Sequence, residues 1–276
     1  LGERALLCFA SHGGQLHAES TVDGRVRAHR MGSSADVAHR VRALRLALTA
    51  GDRAAVASSA GALDDLLIPI GPRPLVVVPT AELAELPWSA LPSRRGRAVS
   101  VVPSVRHWLR AAAADLAFDR ALWVAGPGLR HAKREVRALQ SRHGGVALHD
   151  QSSTVDSVLS ALARADIAHI AAHGTLRPWS SLRLVDGPLR GHHLDRLPRT
   201  PSVVVLSACD SGLAPALLRR GTRAVIASVR AVPDEQVVDL MAAVHVGLRA
   251  GTAPATALAQ AQRLHGDLGF ICFGAG

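Results

Sequence analysis

Two apolar runs of the chain end in residues that can do chemistry. In "DIAHIAAHGTLRP" (166–178) His173 closes the run and Gly174 follows it, and in "PSVVVLSACDSG" (201–212) the closing residue is Cys209. A free cysteine on an apolar run is most often core filler, because free Cys ranks among the most buried residue types. An imidazole beside a thiol reads differently. The thiolate is a strong nucleophile, and a neighbouring His can take its proton and later return one to a leaving amine. Gly174 and the backbone amide of Cys209 could offer two N–H donors to the developing oxyanion, each worth about 3 kcal/mol. Glycine next to the histidine also lets a substrate backbone approach closely. No carboxylate or amide in the sequence stands out as an orienting partner for His173, so the pair reads as a dyad.

For the two side chains to meet, strands must deliver them to one edge. Apolar runs recur at 75–78, 98–102, 121–125, 167–172, 203–206 and 224–229, each short and continuous rather than alternating. That texture fits strands covered on both faces. Helical spacing fills the intervals at 104–117, 130–142, 153–164, 234–249 and 253–265. Strands alternating with helices imply an α/β fold, a mostly parallel sheet with helices on both faces. In such sheets, sites form at the carboxyl ends of strands, which is where His173 and Cys209 fall. Ahead of this core, 5–9, 15–22 and 25–31 read as short strands, the last two joined by the hairpin signal Asp23-Gly24. Two helices follow, one from Ser33 or Ser34 and one over 52–67, ended by Pro69 and Pro72. The organisation expected is one domain over 1–276, with an N-terminal hairpin and helical extension (1–70) and an α/β core (71–276).

Composition narrows the functional classes. At 276 residues and 48% hydrophobic content the chain can bury a full core. It has no apolar run of the roughly 20 residues that a membrane span needs, so no membrane partner is expected. Three cysteines without CxxC spacing suggest neither a disulfide framework nor a zinc site, and the 14 histidines are scattered. No metal and no cofactor is expected, and a reducing, cytoplasmic setting fits best. Cys8 and Cys272 sit on apolar stretches and read as core. The formal charge of +10 invites a nucleic-acid reading. However, the basicity is dispersed arginine with Lys133 as the single lysine, there is no Tyr, and only 3% of residues are aromatic. Few stacking platforms remain for a single strand, so no specific nucleic-acid partner is expected. A nucleotide-binding fold would need GxGxxG after a strand, and "HGGQ" at 12–15 is a poor substitute. The segment Pro92–Arg97 reads as an exposed, nickable loop. The chain opens on Leu1 rather than Met, which reads as the C-terminal part of a longer protein.

Ordered stretches along nearly the whole sequence resemble one family. They include "PLVVVPTAELAELPWSAL" (74–91), "SVVPSV" (100–105), "VAGPGLRHAKREVRAL" (124–139), "AHIAAHG" (168–174) and "SSLRLVDGPL" (180–189). "VVVLSACDSG" (203–212), "GTRAVIASV" (221–229), "RAGTAPATALAQAQ" (249–262) and "GFICFGAG" (269–276) complete the set. The chain is similar to the CHAT domain, the bacterial caspase-like module associated with TPR repeats, and most of all to actinobacterial members. The resemblance implies a caspase-hemoglobinase fold and a cysteine endopeptidase whose His-Cys dyad maps onto His173 and Cys209. It further implies a protein or peptide substrate and control by an N-terminal helical-repeat or sensor region. Two segments are shorter than in the family pattern. Only five residues, from Thr175 to Trp179, precede Ser180-Ser181-Leu182, and "LAPALLRRGT" follows Cys209 almost at once. Arg230 stands where many relatives have Trp. These departures bear on the substrate groove and keep open a catalytically silent interaction module as the alternative. Asp186, Asp210 and Trp179 are candidate pocket residues. For Asp186 the competing role is an Asp-Gly turn, for Asp210 a helix cap, and for Trp179 a cover over the shortened loop.

Overall fold

The structure is a computed structural model that describes all residues except 115, 117, 176–179, 210, 211 and 233, together with the side chain of 234. The expected hairpin forms between β2 (Gln15–Val22) and β3 (Arg25–Ser33), with β1 (Ala5–His12) beside it. Asp23 and Gly24 both adopt positive φ, 49° and 76°, which matches the twist of the flanking strands. Ser33 then caps α1 (Ser34–Ala50) by accepting the Asp36 N–H, and Asp52 caps α2 (Arg53–Leu67) through the Ala54 and Ala55 N–H groups.

The core follows as β4 (Leu75–Val78), β5 (Val99–Val101), α3 (Val105–Ala112), β6 (Ala121–Ala125), α4 (Ala132–His143) and β7 (Val146–Leu148). Next come α5 (Val155–Leu162), β8 (Ile167–Ala171), β9 (Gly174–Thr175), β10 (Ser181–Arg183), β11 (Pro188–Arg190) and α6 (Gly191–Leu194). The chain closes with β12 (Val203–Ser207), α7 (Ala214–Arg219), β13 (Ala224–Ser228), α8 (Asp234–Arg249), α9 (Pro254–His265) and β14 (Phe270–Gly274).

Eleven strands form one sheet in the order β3-β2-β1-β4-β5-β14-β13-β12-β8-β6-β7, and β9, β10 and β11 form a separate small sheet. The large sheet is mostly parallel, but in two blocks of opposite direction. β1, β4, β5 and β14 run together, β13, β12, β8, β6 and β7 run together, and the blocks meet antiparallel at β13 and β14. The hairpin is hydrogen-bonded into this sheet, because β1 pairs in parallel with β4.

Each central strand is buried on both faces. Around β8 and β12, one face packs Trp123, Ile167, Ala171, Val203 and Val205 against α4, α8 and α9. The other face packs Ala168, Ile170, Val204 and Leu206 against α5, α7 and residues of the small sheet. Val203, Val204 and Val205 are fully buried, and each such side chain contributes about 1.5–3 kcal/mol relative to exposure.

The segment at 92–97 is exposed at Pro92, Arg95 and Arg97, as expected, but is anchored at Arg94. Arg94 is fully buried and donates to Arg73 O (2.7 Å), Gly71 O (3.3 Å) and Ser93 Oγ (2.9 Å). Asp64 holds the same turn by accepting the Ser93 N–H at 2.7 Å. A guanidinium with this many acceptors is a strut, because its charge and its N–H groups are satisfied in the interior.

Candidate active site

β8 and β12 are neighbours in the sheet and pair residue for residue, from Val203 opposite Ile167 to Ser207 opposite Ala171. The ladder continues one step further, with the Ala172 N–H donating to Ser207 O at 3.3 Å. His173 and Cys209 each lie two residues beyond the last matched pair. They therefore leave adjacent strands at the same height on the carboxyl edge. Alternation supports a common side as well. Ala172 and Ala208 face the cluster with α5 and α7, whereas Ala171 packs on the α4 side and Ser207 bonds to an α4 residue. The next residue of each strand, His173 and Cys209, is due on that α4 side. His173 is exposed and Cys209 half-buried.

The turn between β6 and α4 closes over this edge. Gly128 has φ +85°, and a Cβ there would sit 3.4 Å from His173 Nε2. Gly126 donates its N–H to Ala171 O at 2.8 Å, and a Cβ there would meet Arg183 O at 2.5 Å. Both positions need glycine, one for its backbone conformation and one for close approach. On the far side the His173 carbonyl accepts the Arg183 N–H at 2.8 Å, and Gly174 opens β9 opposite Leu182. Among the described residues no carboxylate bonds the His173 ring.

Beneath the strand ends lies a buried polar row that the sequence reading did not single out. Glu135 of α4 is 2% exposed; its Oε2 accepts the Ser207 hydroxyl at 3.4 Å, and its Oε1 lies 3.0 Å from His169 Nε2. The second contact is close in distance and off-axis for a hydrogen bond. His169 Nδ1 is 3.1 Å from Nε2 of His245 on α8, and the His245 ring stands edge-on to Trp123 with centroids 5.0 Å apart. Burial, reinforced by His169, His143 and Arg249, holds His245 well below the usual histidine range. A signal for Glu135 was present, since Ala132, Val136 and Leu139 form the buried stripe of α4 and Glu135 falls within it.

Asp186 sits in the turn between β10 and β11, where its Oδ1 accepts the Val155 N–H at 2.8 Å, at the first turn of α5. Asp210 and Trp179 lie outside the described residues. Cys272 is buried on β14 and its thiol is pushed up to about 12, by burial against an opposing pull from Arg223. Cys8 is half-buried on β1, and its thiol is raised by burial and then by Glu19, its cross-strand partner. Arg230 follows β13 and donates to Asp267 O at 3.0 Å. α7 begins at Ala214, five residues after Cys209.

This arrangement can be set against known proteins. The family model of the CHAT domain matches residues 45–265. No curated protein sequence matches the chain. Among solved structures, two crystal structures of the Saccharomyces cerevisiae separase–securin complex are similar, one with TM-score 0.75 at 7% identity and one with TM-score 0.70 at 9%. Each match covers 99% of this chain and 30% of the matched chain, so the chain spans under a third of that neighbour's length. At such identity the likeness is one of fold, and that fold is caspase-like. With a family model over most of its length and a caspase-like neighbour over nearly all of it, the chain belongs to the CHAT domain family.

Proposed function

We propose that the chain is a caspase-like cysteine endopeptidase that hydrolyses peptide bonds with a His173–Cys209 dyad. The observation that carries this reading is the matched register of β8 and β12, which brings the two residues off adjacent strands at one height. His173 takes the thiol proton, and Sγ attacks the scissile carbonyl carbon to form a tetrahedral intermediate. The N–H groups of Gly174 and Cys209 are the proposed donors to the oxyanion, the placement in which fixed dipoles contribute most. Collapse of the intermediate breaks the C–N bond, and the leaving amine receives its proton from His173. Water, deprotonated by the same imidazole, then attacks the thioester carbonyl and releases the acid product with the thiol restored. Control by an N-terminal sensor or repeat region belongs to the same proposal. It rests on the family's architecture and on the protein partner, securin, that accompanies the separase neighbours.

A second reading is a silent interaction module that keeps the fold without turnover. The short passage from Cys209 to α7 favours it, because less chain is left to wall a substrate cleft. Alkylation separates the two. With limiting iodoacetamide and mass-spectrometric readout, Cys209 should label first and Cys272 last, because Cys272 is buried and its thiol is pushed up to about 12. His173→Ala should slow Cys209 selectively. Equal rates at all three thiols, unchanged by His173→Ala, would remove the peptidase reading.

A further inference from the structure

The large sheet ends differently on its two sides. β7 closes one edge with three residues, too few to template another strand. β3 closes the other with nine, Arg25–Ser33, and contains no proline. That edge is regular over Arg25–Arg30, because the irregularity in its pairing with β2 falls beyond Arg30, at Leu16/His17.

The Asp23-Gly24 turn decides which backbone groups of β3 are already used. With both residues at positive φ it is a two-residue turn of type I′, so Val22 and Arg25 form the first hydrogen-bonded pair. Alternation then aims the N–H and C=O of Arg25, Arg27 and His29 at β2, and those of Val26, Ala28 and Arg30 outward. None of these three outward residues has another backbone partner among the described residues.

The side chains along this edge are exposed on both faces. On the face toward α1 and α2, Arg25 and Arg27 flank a hollow of about 510 Å³ lined also by Val22, Pro69 and Ile70. Asp23, the carboxylate in that lining, is committed to Arg73 at 2.8 Å. On the opposite face stand Val26, 63% exposed, and Ala28, small and apolar. Arg25, Arg27 and Arg30 have no ion-pair partner among the described residues.

These groups select the occupant. A second copy would bring the same arginines against one another, and like charges placed opposite are destabilising. Phosphates of a nucleic acid would answer the arginines but donate nothing to the outward carbonyls. We propose that β3 is a docking edge for an acidic, extended segment of a protein partner, which adds a twelfth strand through Val26, Ala28 and Arg30 and sets alternate Asp or Glu side chains against Arg25 and Arg27. β3 lies seven strands from β12, about 34 Å along the sheet at about 4.8 Å per strand, so this surface is separate from the dyad and independent of the peptidase reading.

The test uses a fluorescein-labelled ten-residue peptide of alternating Glu and Thr, with anisotropy as the readout. The whole chain carries Cys209→Ala, so that nothing is cleaved. Expected is saturable binding that weakens with added salt, and by about tenfold in Arg25→Glu/Arg27→Glu. Arg134→Glu/Arg137→Glu, an equal charge change on the exposed face of α4, should leave it within about twofold, because screened charges beyond a Debye length act weakly. Val26→Pro deletes an outward N–H and no β2–β3 bond, so binding should weaken by about tenfold with the thermal midpoint unchanged. By hydrogen exchange, the amides of Val26, Ala28 and Arg30 should slow when the peptide is bound. Absent saturable binding, equal weakening by the α4 change, or amides that exchange as fast bound as free would overturn the proposal. So would binding unchanged in Val26→Pro, or an equal affinity for a ten-nucleotide oligothymidylate, since charge alone would then suffice. A dimer of the free chain that Val26→Pro dissolves would overturn it too, by giving the edge to a second copy.

Discussion

Glu135→Ala removes the carboxyl group that bonds α4 to β12 and lies against His169 of β8, beneath His173 and Cys209. The side chain is 2% exposed, His169 is 0% and Ser207 is 8%, so no water replaces what is lost. Ser207 loses its acceptor at 3.4 Å and His169 Nε2 loses its neighbour at 3.0 Å. A buried polar group left without a partner costs about 1–3 kcal/mol. Ser207 left without its acceptor, together with a small cavity, gives a destabilisation of about 2–4 kcal/mol. Unfolding entropy of about 2.1 cal/mol/K per residue gives about 0.6 kcal/mol/K for 276 residues, so Tm should fall by about 3–7 °C. Glu135→Gln keeps an acceptor for Ser207 and an amide opposite His169, and should cost about 1 kcal/mol.

Scanning calorimetry in reducing buffer at neutral pH measures both variants, and a Ser207→Ala arm completes a double-mutant cycle with Glu135→Ala. Because Ser207 is two residues before Cys209, the Cys209 alkylation rate should fall in Glu135→Ala and largely recover in Glu135→Gln. Equal destabilisation by Ala and Gln would refute the reasoning. So would effects at Glu135 and Ser207 that add to within about 0.5 kcal/mol, the mark of independent sites.

Three further outcomes follow from the same geometry. Hydrogen bonds from Arg120, with Arg199 assisting against burial, hold Asp166 at about 2, below its unfolded value, so its contribution is present above about pH 4 and lost as pH falls toward 2. With those guanidiniums 63% and 41% exposed, Asp166→Asn should cost on the order of 1–2 kcal/mol at neutral pH, and a urea-midpoint difference that stays constant down to pH 2 would contradict this. Gly128→Ala places a Cβ at φ +85° and 3.4 Å from His173 Nε2, so a left-handed penalty of about 1–2 kcal/mol and slower Cys209 alkylation are expected; unchanged alkylation would show that the ring is free to move away. Arg94→Met strips the donors from Arg73 O and Gly71 O, which should lower stability by about 3 kcal/mol and open 92–97 to trypsin, whereas equal trypsin resistance of the two proteins would count against the buried strut.

What could be read from the sequence divides along physical lines. β6, β8, β12 and β13 are continuous apolar runs because both faces are covered, and doubly covered strands advertise themselves. β7, β9, β10 and β11 escaped notice because two or three residues carry no period. Arg94 misled for the opposite reason: a run of arginines looks solvated, and only the carbonyls of Gly71 and Arg73 turn one of them inward. β14 is absent from the expected strands, and its reversed direction is legible only through its connection. Two helices, α8 and α9, separate it from β13 and pack Gly247 against Ala257, where a Cβ would come within 3.0 Å. An out-and-back helical pair returns the chain to the edge it left, and the next strand must then run antiparallel. The apolar run of β14 alone carries no sign of direction.

The same division bears on the short segment after Cys209. The height at which Cys209 leaves the sheet is set by β12, whose register with β8 is fixed over five residues and whose last residue is bonded to Glu135. None of those constraints passes through the connection to α7. Shortening that connection therefore moves the walls rather than the strand end from which the thiol departs.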